Sequence, residues 1–187
     1  DFVWTKSRSS SGWWNIAFDR LRGGGQLATS YNSAELVQGS NVGGYVSSYD
    51  TDGFTATSGS LSNGSFNNSG DTYVAWNWKA GGTASSNGDG TITSSVSANT
   101  TAGFSIASYT GNATTGATVG HGLSQAPEML IVKQRDATNH WSVLANSDPT
   151  DYLILNSDNA TADDSVFWND TNPSSSVFTL GNVNWVN

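Results

Sequence analysis

Hydrophobic and polar positions alternate most cleanly over Tyr73-Val74-Ala75-Trp76-Asn77-Trp78. Val74, Trp76 and Trp78 share one face and Tyr73, Ala75 and Asn77 the other, which is the two-residue period of a strand. The same period runs through 91–97 and through Phe104-Ser105-Ile106-Ala107-Ser108-Tyr109. Shorter aromatic or β-branched runs at 1–8, 13–18, 42–49, 54–57, 130–133, 141–144, 152–155 and 177–180 read as further strands, parted by Gly, Ser, Asn and Asp turn signals. Ala34 to Gln38 reads as at most one helical turn, because Gly39, Gly43 and Gly44 punctuate the chain beyond it. Short strands at this spacing predict an all-β fold of the sandwich, jelly-roll or lectin-like kind.

One strand pattern occurs twice. Lys6, Arg8 and Trp14 recur as Lys133, Arg135 and Trp141 at a common offset (133 − 6 = 135 − 8 = 141 − 14 = 127). A fainter echo relates Tyr31-Asn32-Ser33 to Leu155-Asn156-Ser157 and Gly53-Phe54-Thr55 to Val177-Phe178-Thr179 at an offset near 124. A period of this length is domain-sized rather than that of a solenoid repeat. It predicts tandem β-sandwich units, with residues 1–82 the C-terminal part of a first unit and 83–187 a second unit lacking its last strand or strands. Residues 83–126 have no counterpart before Asp1, and Asp71 to Lys79 have none after Asn187, so the chain is expected to be truncated at both ends. Ala80 to Gly90, rich in Gly, Ser and Asn, is the expected joint.

Composition narrows the function classes. Eight Trp, seven Phe and six Tyr supply a core. With 7 basic against 15 acidic residues, the chain does not suit a polyphosphate partner, so no nucleic acid is expected. No run of 18 or more apolar residues is present, and no membrane insertion is expected. The absence of Cys removes thiolate metal sites, thiol nucleophiles and disulfides.

Candidate chemistry is sparse. Asn87-Gly88-Asp89-Gly90 resembles part of a calcium loop, but Ser85 and Val96 stand where that loop needs its first and last ligands. Asp50-Thr51-Asp52-Gly53 offers two carboxylates and is also what a tight turn prefers. Asp50, Asp52, Asn87 and Asp89 are therefore the metal candidates, each read first as a turn residue, and no cofactor is expected. His121 and His140 have no nucleophile motif around them, and His121 in Val119-Gly120-His121-Gly122-Leu123 reads as ordering a turn through a ring-to-backbone hydrogen bond. Glu35 and Glu128 are the only glutamates, so a glycosidase pair would have to use them or the Asp clusters. No catalytic residue is assigned. Trp13, Trp14, Trp76, Trp78, Trp168 and Trp185 have faces for sugar rings, yet most occupy alternating strand positions where a core is expected; Trp13 and Trp168 are the surface candidates. Six N-x-[ST] sequons, at Asn63, Asn67, Asn99, Asn112, Asn159 and Asn169, are at the level chance gives in so Asn- and Ser-rich a chain.

Three stretches together carry a family likeness: Thr101 to Trp141, with "TAGFSIASYTGN" and "ATVGHGLSQAPEMLIVKQR"; Phe167-Trp168-Asn169 followed by Ser176 to Gly181; and Tyr49 to Gly82, with "SGDTYVAWNWKAGG". As a set they resemble a repeat of unassigned role found in virion and tail-fibre proteins of tailed phages, particularly marine and cyanophage types. The resemblance implies a non-enzymatic fibre or surface appendage located in the virion, assembled as a homo-oligomer such as a trimer, with other virion proteins, and contacting host surface glycans. Two alternatives stand beside it: a carbohydrate-binding module of a secreted or cell-surface bacterial adhesin, and a polysaccharide depolymerase.

Overall fold

The computed structural model describes residues 1–37, 43–59, 66–145 and 148–187. Gln38 and Val42, the ends of two expected elements, and the Asn63 sequon lie outside these residues, as does part of the loop after Thr57. The strands are β1 (Phe2–Ser7), β2 (Ile16–Asp19), β3 (Gly23–Ala28), β4 (Tyr45–Tyr49), β5 (Phe54–Thr57), β6 (Tyr73–Trp78), β7 (Ser85–Asn87), β8 (Ser94–Asn99), β9 (Phe104–Tyr109), β10 (Thr118–Gly120), β11 (Leu130–Val132), β12 (Ser142–Leu144), β13 (Asp151–Ile154), β14 (Ala162–Asp163) and β15 (Val177–Thr179). One helical turn, α1 (Ser165–Trp168), is capped by Asp164, whose side chain accepts from the Val166 N–H. The fold is all-β and β-sandwich-like, with antiparallel sheets ordered β3-β2-β1-β6, β4-β5, β7-β8-β9, β10-β15 and β11-β12-β13-β14.

Among the described residues three apolar clusters hold these sheets. Val3, Ile16, Phe18, Val46 and Phe66 lie between the first sheet and the β4-β5 ribbon. Ile92, Val119, Leu144, Phe167, Trp168, Phe178, Leu180 and Val186 form the second. The third joins them: Trp141 sits on Ala17 and Leu27, with Phe2 and Leu155 alongside.

The expected hairpin repeat is present, and its register differs by one residue between strands. Val3 faces Phe18, whereas Leu130 faces Leu144 (130 − 3 = 127, 144 − 18 = 126). The Thr29 N–H donates to the Asn15 carbonyl at 2.7 Å, and the Leu155 N–H donates to the Trp141 carbonyl at 3.1 Å. The N–H of Asn15 donates to Ser30 Oγ, as the N–H of Trp141 donates to Asn156 Oδ1. Trp141 is therefore the counterpart of Asn15 (141 − 15 = 126), and His140 is the counterpart of Trp14. The second turn is one residue shorter, and the match of Trp14 with Trp141 in sequence does not survive in space. The two lysines do keep one role: Lys6 Nζ donates to the Trp13 carbonyl, and Lys133 Nζ to the carbonyls of Gln134 and Ala137. Each ammonium closes its own hairpin turn. Burial lowers Lys133 to a pKa of about 8.

Ala34 to Val37 forms no helical turn. Leu36 instead exchanges both backbone hydrogen bonds with Gln26 on the edge of β3, which satisfies its backbone across the sheet instead of along the chain. The same segment carries Glu35 into a chain of ion pairs. Arg22 Nε donates to Asp19 Oδ2 at 2.5 Å and its Nη1 to Glu35 Oε1 at 2.9 Å; Glu35 Oε2 receives Arg135 Nε at 2.6 Å. The Glu35 N–H also donates to the Arg135 carbonyl at 2.7 Å. Gly25 makes room for this carboxylate, since a Cβ there would collide with Glu35 Oε1.

Arg22 and Glu35 are both about one-twentieth exposed, so removing Glu35 leaves the buried Arg22 paired with Asp19 alone and its Nη1 without a charged acceptor. Glu35→Ala is expected to lower unfolding free energy by about 1–3 kcal/mol. Arg135→Ala, at a half-exposed guanidinium, is expected to cost at most about 1 kcal/mol. Urea unfolding of the two variants checks the ratio.

Candidate functional site: an exposed aromatic strip

The outward face of the first sheet is where aromatic residues meet solvent. On β1, Val3, Thr5 and Ser7 point inward and are buried, while Phe2, Trp4 and Lys6 point out. Pairing with β6 sets Phe2 against Trp78, Trp4 against Trp76 and Lys6 against Val74. The core side of β6 is the other one: Ala75 packs into the first cluster and Tyr73 touches Phe66 with ring centroids 6.3 Å apart. Trp76 is 48% exposed and Trp78 40%. The expectation that these two tryptophans are core is thus reversed. A period-two pattern says which residues share a face and is silent on which face is covered.

The strip is ordered by ring contacts. Trp4 and Trp76 lie 6.0 Å apart between centroids, and Phe2 and Trp78 5.5 Å. Trp78 also stacks at 22° on Phe104 of β9, 6.1 Å away. Trp4 Nε1 donates to Thr29 Oγ1 at 2.8 Å, which locks its indole. Along the sheet the strip stops where Trp141 covers Ala17 and Leu27. It therefore runs beside the junction between the first sheet and the segment bearing Trp141. Its edge-on and stacked rings hold their faces in place before anything binds.

The other proposed positions lie elsewhere. Trp168, taken as a surface ligand candidate, is fully buried in the second cluster at 0% exposure and presents no face to a ligand. It is the closing residue of α1, and the chain folds over it: Gly181 N–H donates to the Phe167 carbonyl. Trp13 is half-buried in the β1–β2 turn, beside a shallow open depression of about 420 Å³ that it lines with Ser9, Ser10, Ser11 and Gly12. Trp13 and the strip are not connected by any ring contact among the described residues.

The carboxylate candidates do not assemble. Among the described residues no group of three or more His, Cys, Asp or Glu is placed to hold a metal. Asp50 accepts from Ser48 Oγ and Thr55 Oγ1, and its N–H donates to the Gly53 carbonyl, so it closes the β4–β5 turn. Asp52 is exposed in that turn. Asn87 and Asp89 form their own local pair, the Asp89 N–H donating to Asn87 Oδ1 and Asn87 Nδ2 to Asp89 Oδ2. Both oxygens of Glu35 are engaged by arginines, and Glu128 is on the surface. His121 orders a turn: its Nδ1 accepts from the Leu123 N–H at 3.1 Å, which leaves Nε2 protonated and donating to the Ser174 carbonyl at 3.2 Å. Burial lowers its pKa.

The family model for a domain of unknown function, DUF7483, matches residues 1–187. The chain belongs to that family. No curated protein and no solved structure matches it significantly. For this DUF7483 chain, the site is accordingly read from its own geometry, and the aromatic strip is the feature that folding alone does not require.

The His121 linkage has a definite sign. In the unfolded chain the imidazole titrates near its ordinary value of about 6.5, and in the fold it titrates lower. Stability is complete above that value and is lost as pH falls through it, because the unfolded chain then binds the additional proton. The melting temperature is expected to fall between pH 7.5 and 5, and His121→Gln is expected to reduce that fall.

Proposed function

We propose that the chain is a non-enzymatic module of a surface appendage that contacts glycans through Trp76 and Trp78, with Trp4, Phe2 and Phe104 as their frame. The single observation behind this reading is the pair of indoles at 48% and 40% exposure on adjacent outward positions of one strand. Leaving such faces in water is unfavourable at about 25 cal/mol per Å² of apolar surface, so a partner that covers them gains what the fold forgoes. The C–H bonds on the flat side of a sugar ring carry partial positive charge and meet the negative face of an indole. Indoles spaced along a strand suit consecutive residues of a polysaccharide rather than one isolated sugar. An acidic chain with polar turns also stays soluble beside a hydrated glycan layer.

The phage-appendage setting is supported by the sequence resemblance and by the repeated hairpin, which joins its copies through the Glu35–Arg135 pair and Trp141. A non-enzymatic role is supported by Glu35, whose two oxygens are both occupied, and by turn-bound Asp50 and Asp89. A secreted adhesin module would use the same strip; detection of the chain in purified phage particles separates the two settings.

Glycan-array binding followed by calorimetry tests the contact. Trp76→Ala and Trp78→Ala are each expected to weaken binding about 10- to 100-fold, that is about 1–3 kcal/mol. Their melting temperatures should stay within a few degrees of the parent, since truncation of exposed side chains costs little. A chain that binds no surface polysaccharide, or binds one equally well without both indoles, overturns the proposal. Release of reducing ends from a bound polysaccharide would replace it with the depolymerase reading.

A further inference from the structure

The strand that carries Trp76 and Trp78 is also a sheet edge. The first sheet runs β3-β2-β1-β6, so among the described residues β6 has β1 on one side only. The direction of each backbone group on β6 follows from its neighbours. The Arg8 N–H donates to the Thr72 carbonyl at 2.7 Å, and Lys6, Trp4 and Phe2 face Val74, Trp76 and Trp78. Hydrogen-bonded pairs alternate in an antiparallel ladder, so the even-numbered residues of β6 turn their N–H and C=O groups to β1. The far edge of β1 agrees: the Arg20 N–H donates to the Asp1 carbonyl there, which assigns the odd-numbered residues of β1 to β2. Tyr73, Ala75 and Asn77 therefore direct three N–H and three C=O groups away from the sheet. None of these six has a backbone partner among the described residues.

An edge of this kind is usually blunted by charge, proline, a bulge or a covering segment. Among the described residues β6 has none of these devices: its sequence is Tyr-Val-Ala-Trp-Asn-Trp, and its pairing with β1 is unbroken over six residues. Other edges are treated differently. Leu36 bridges to β3 at Gln26, and β14 is two residues long and ends in Asp163. β9, as long as β6, is half-buried along its length and is met by Phe2 at Phe104 and by Arg135 at Ser108.

We propose that β6 pairs with β6 of a second copy of this chain across a twofold axis through Ala75. Antiparallel pairing in the register Ala75 to Ala75 and Tyr73 to Asn77 brings every outward backbone group of one strand opposite one of the other, six hydrogen bonds in all. Registers two residues to either side leave some of those groups unpaired. In this register Trp76 stands opposite the partner's Val74 in the close, non-hydrogen-bonded position, and the two aromatic strips become one surface continuous across the axis. Opposite residues of a ladder share a face, so the core sides of the two sheets also align. The contact is isologous and closes at two copies, whereas the resemblance to fibre proteins implied three. This pairing does not depend on whether the strip binds glycan.

Sedimentation of the whole chain is the first test: a concentration-dependent species of twice 19.6 kDa is expected. Asn77→Pro, at an exposed residue whose N–H points away from β1, removes two of the six bonds by symmetry. It is expected to weaken self-association at least about tenfold with the circular dichroism spectrum unchanged. Because the chain has no cysteine, Ala75→Cys gives a second reading that does not rely on proline being tolerated. Directly opposed Cα atoms in a hydrogen-bonded pair are about 5.5 Å apart, within disulfide range, so mild oxidation is expected to yield a covalent dimer with Ala75→Cys and none with Ser86→Cys. A chain that sediments as a monomer or trimer, or crosslinks equally through both cysteines, overturns the proposal.

Discussion

The arrangement of this protein depends on one line of charge, Asp19–Arg22–Glu35–Arg135, buried as far as Glu35. Arg22 is nearly sealed from water, and its guanidinium is shared among Asp19, Glu35 and the carbonyls of Ala17 and Gly25. A cation so placed needs paired charge and hydrogen-bond acceptors around it. That condition explains several otherwise separate features. Gly25 has no side chain because Glu35 occupies the space. The segment before Glu35 is held to the edge of β3 through Leu36. Arg135 reaches back from the turn of the second hairpin to close the line, and its Nη1 donates to Ser108 Oγ at 3.2 Å.

The apolar side of the same junction is Trp141. Its Nε1 donates to the carbonyls of Ala28 and Tyr31 at 2.9 and 3.2 Å, while its ring covers Ala17 and Leu27. Charge supplies direction here and the indole supplies burial. Together they cover the β2–β3 half of the first sheet's outer face and leave the β1–β6 half in water. The aromatic strip is thus a consequence of where the second hairpin docks: the same face is interior at Leu27 and exterior at Trp76.

Much of this was legible in the chain. The strand at 73–78, the repeated hairpin, the turns at Asp50 and Asn87 and the ring-to-backbone role of His121 all follow from period, turn chemistry and spacing, which act over a few residues. Less was legible where one residue does duty in a distant contact. Trp141 looked like the repeat of Trp14 because both are tryptophans at a common offset, yet backbone bonding makes it the repeat of Asn15. Glu35 stood among the carboxylates a glycosidase pair would have to use because its two arginines lie 13 and 100 residues away. Trp168 looked available for a ligand because no local pattern announces that α1 is folded under β15.

The sequence by itself determined that the chain is β, where its turns fall, and that Trp76 and Trp78 share a face while Ala75 lies on the other. These are properties of a backbone whose side chains alternate, and neighbouring residues suffice to set them. Which face is wet was decided only by the tertiary structure. A two-residue period is symmetric between its faces, and the choice was made by Phe18, Val46 and Phe66 gathering on the Ala75 side and by Trp141 covering only half of the other. That β6 is an edge strand among the described residues was decided in the same way: an edge exists only once the strands have taken their order in the sheet.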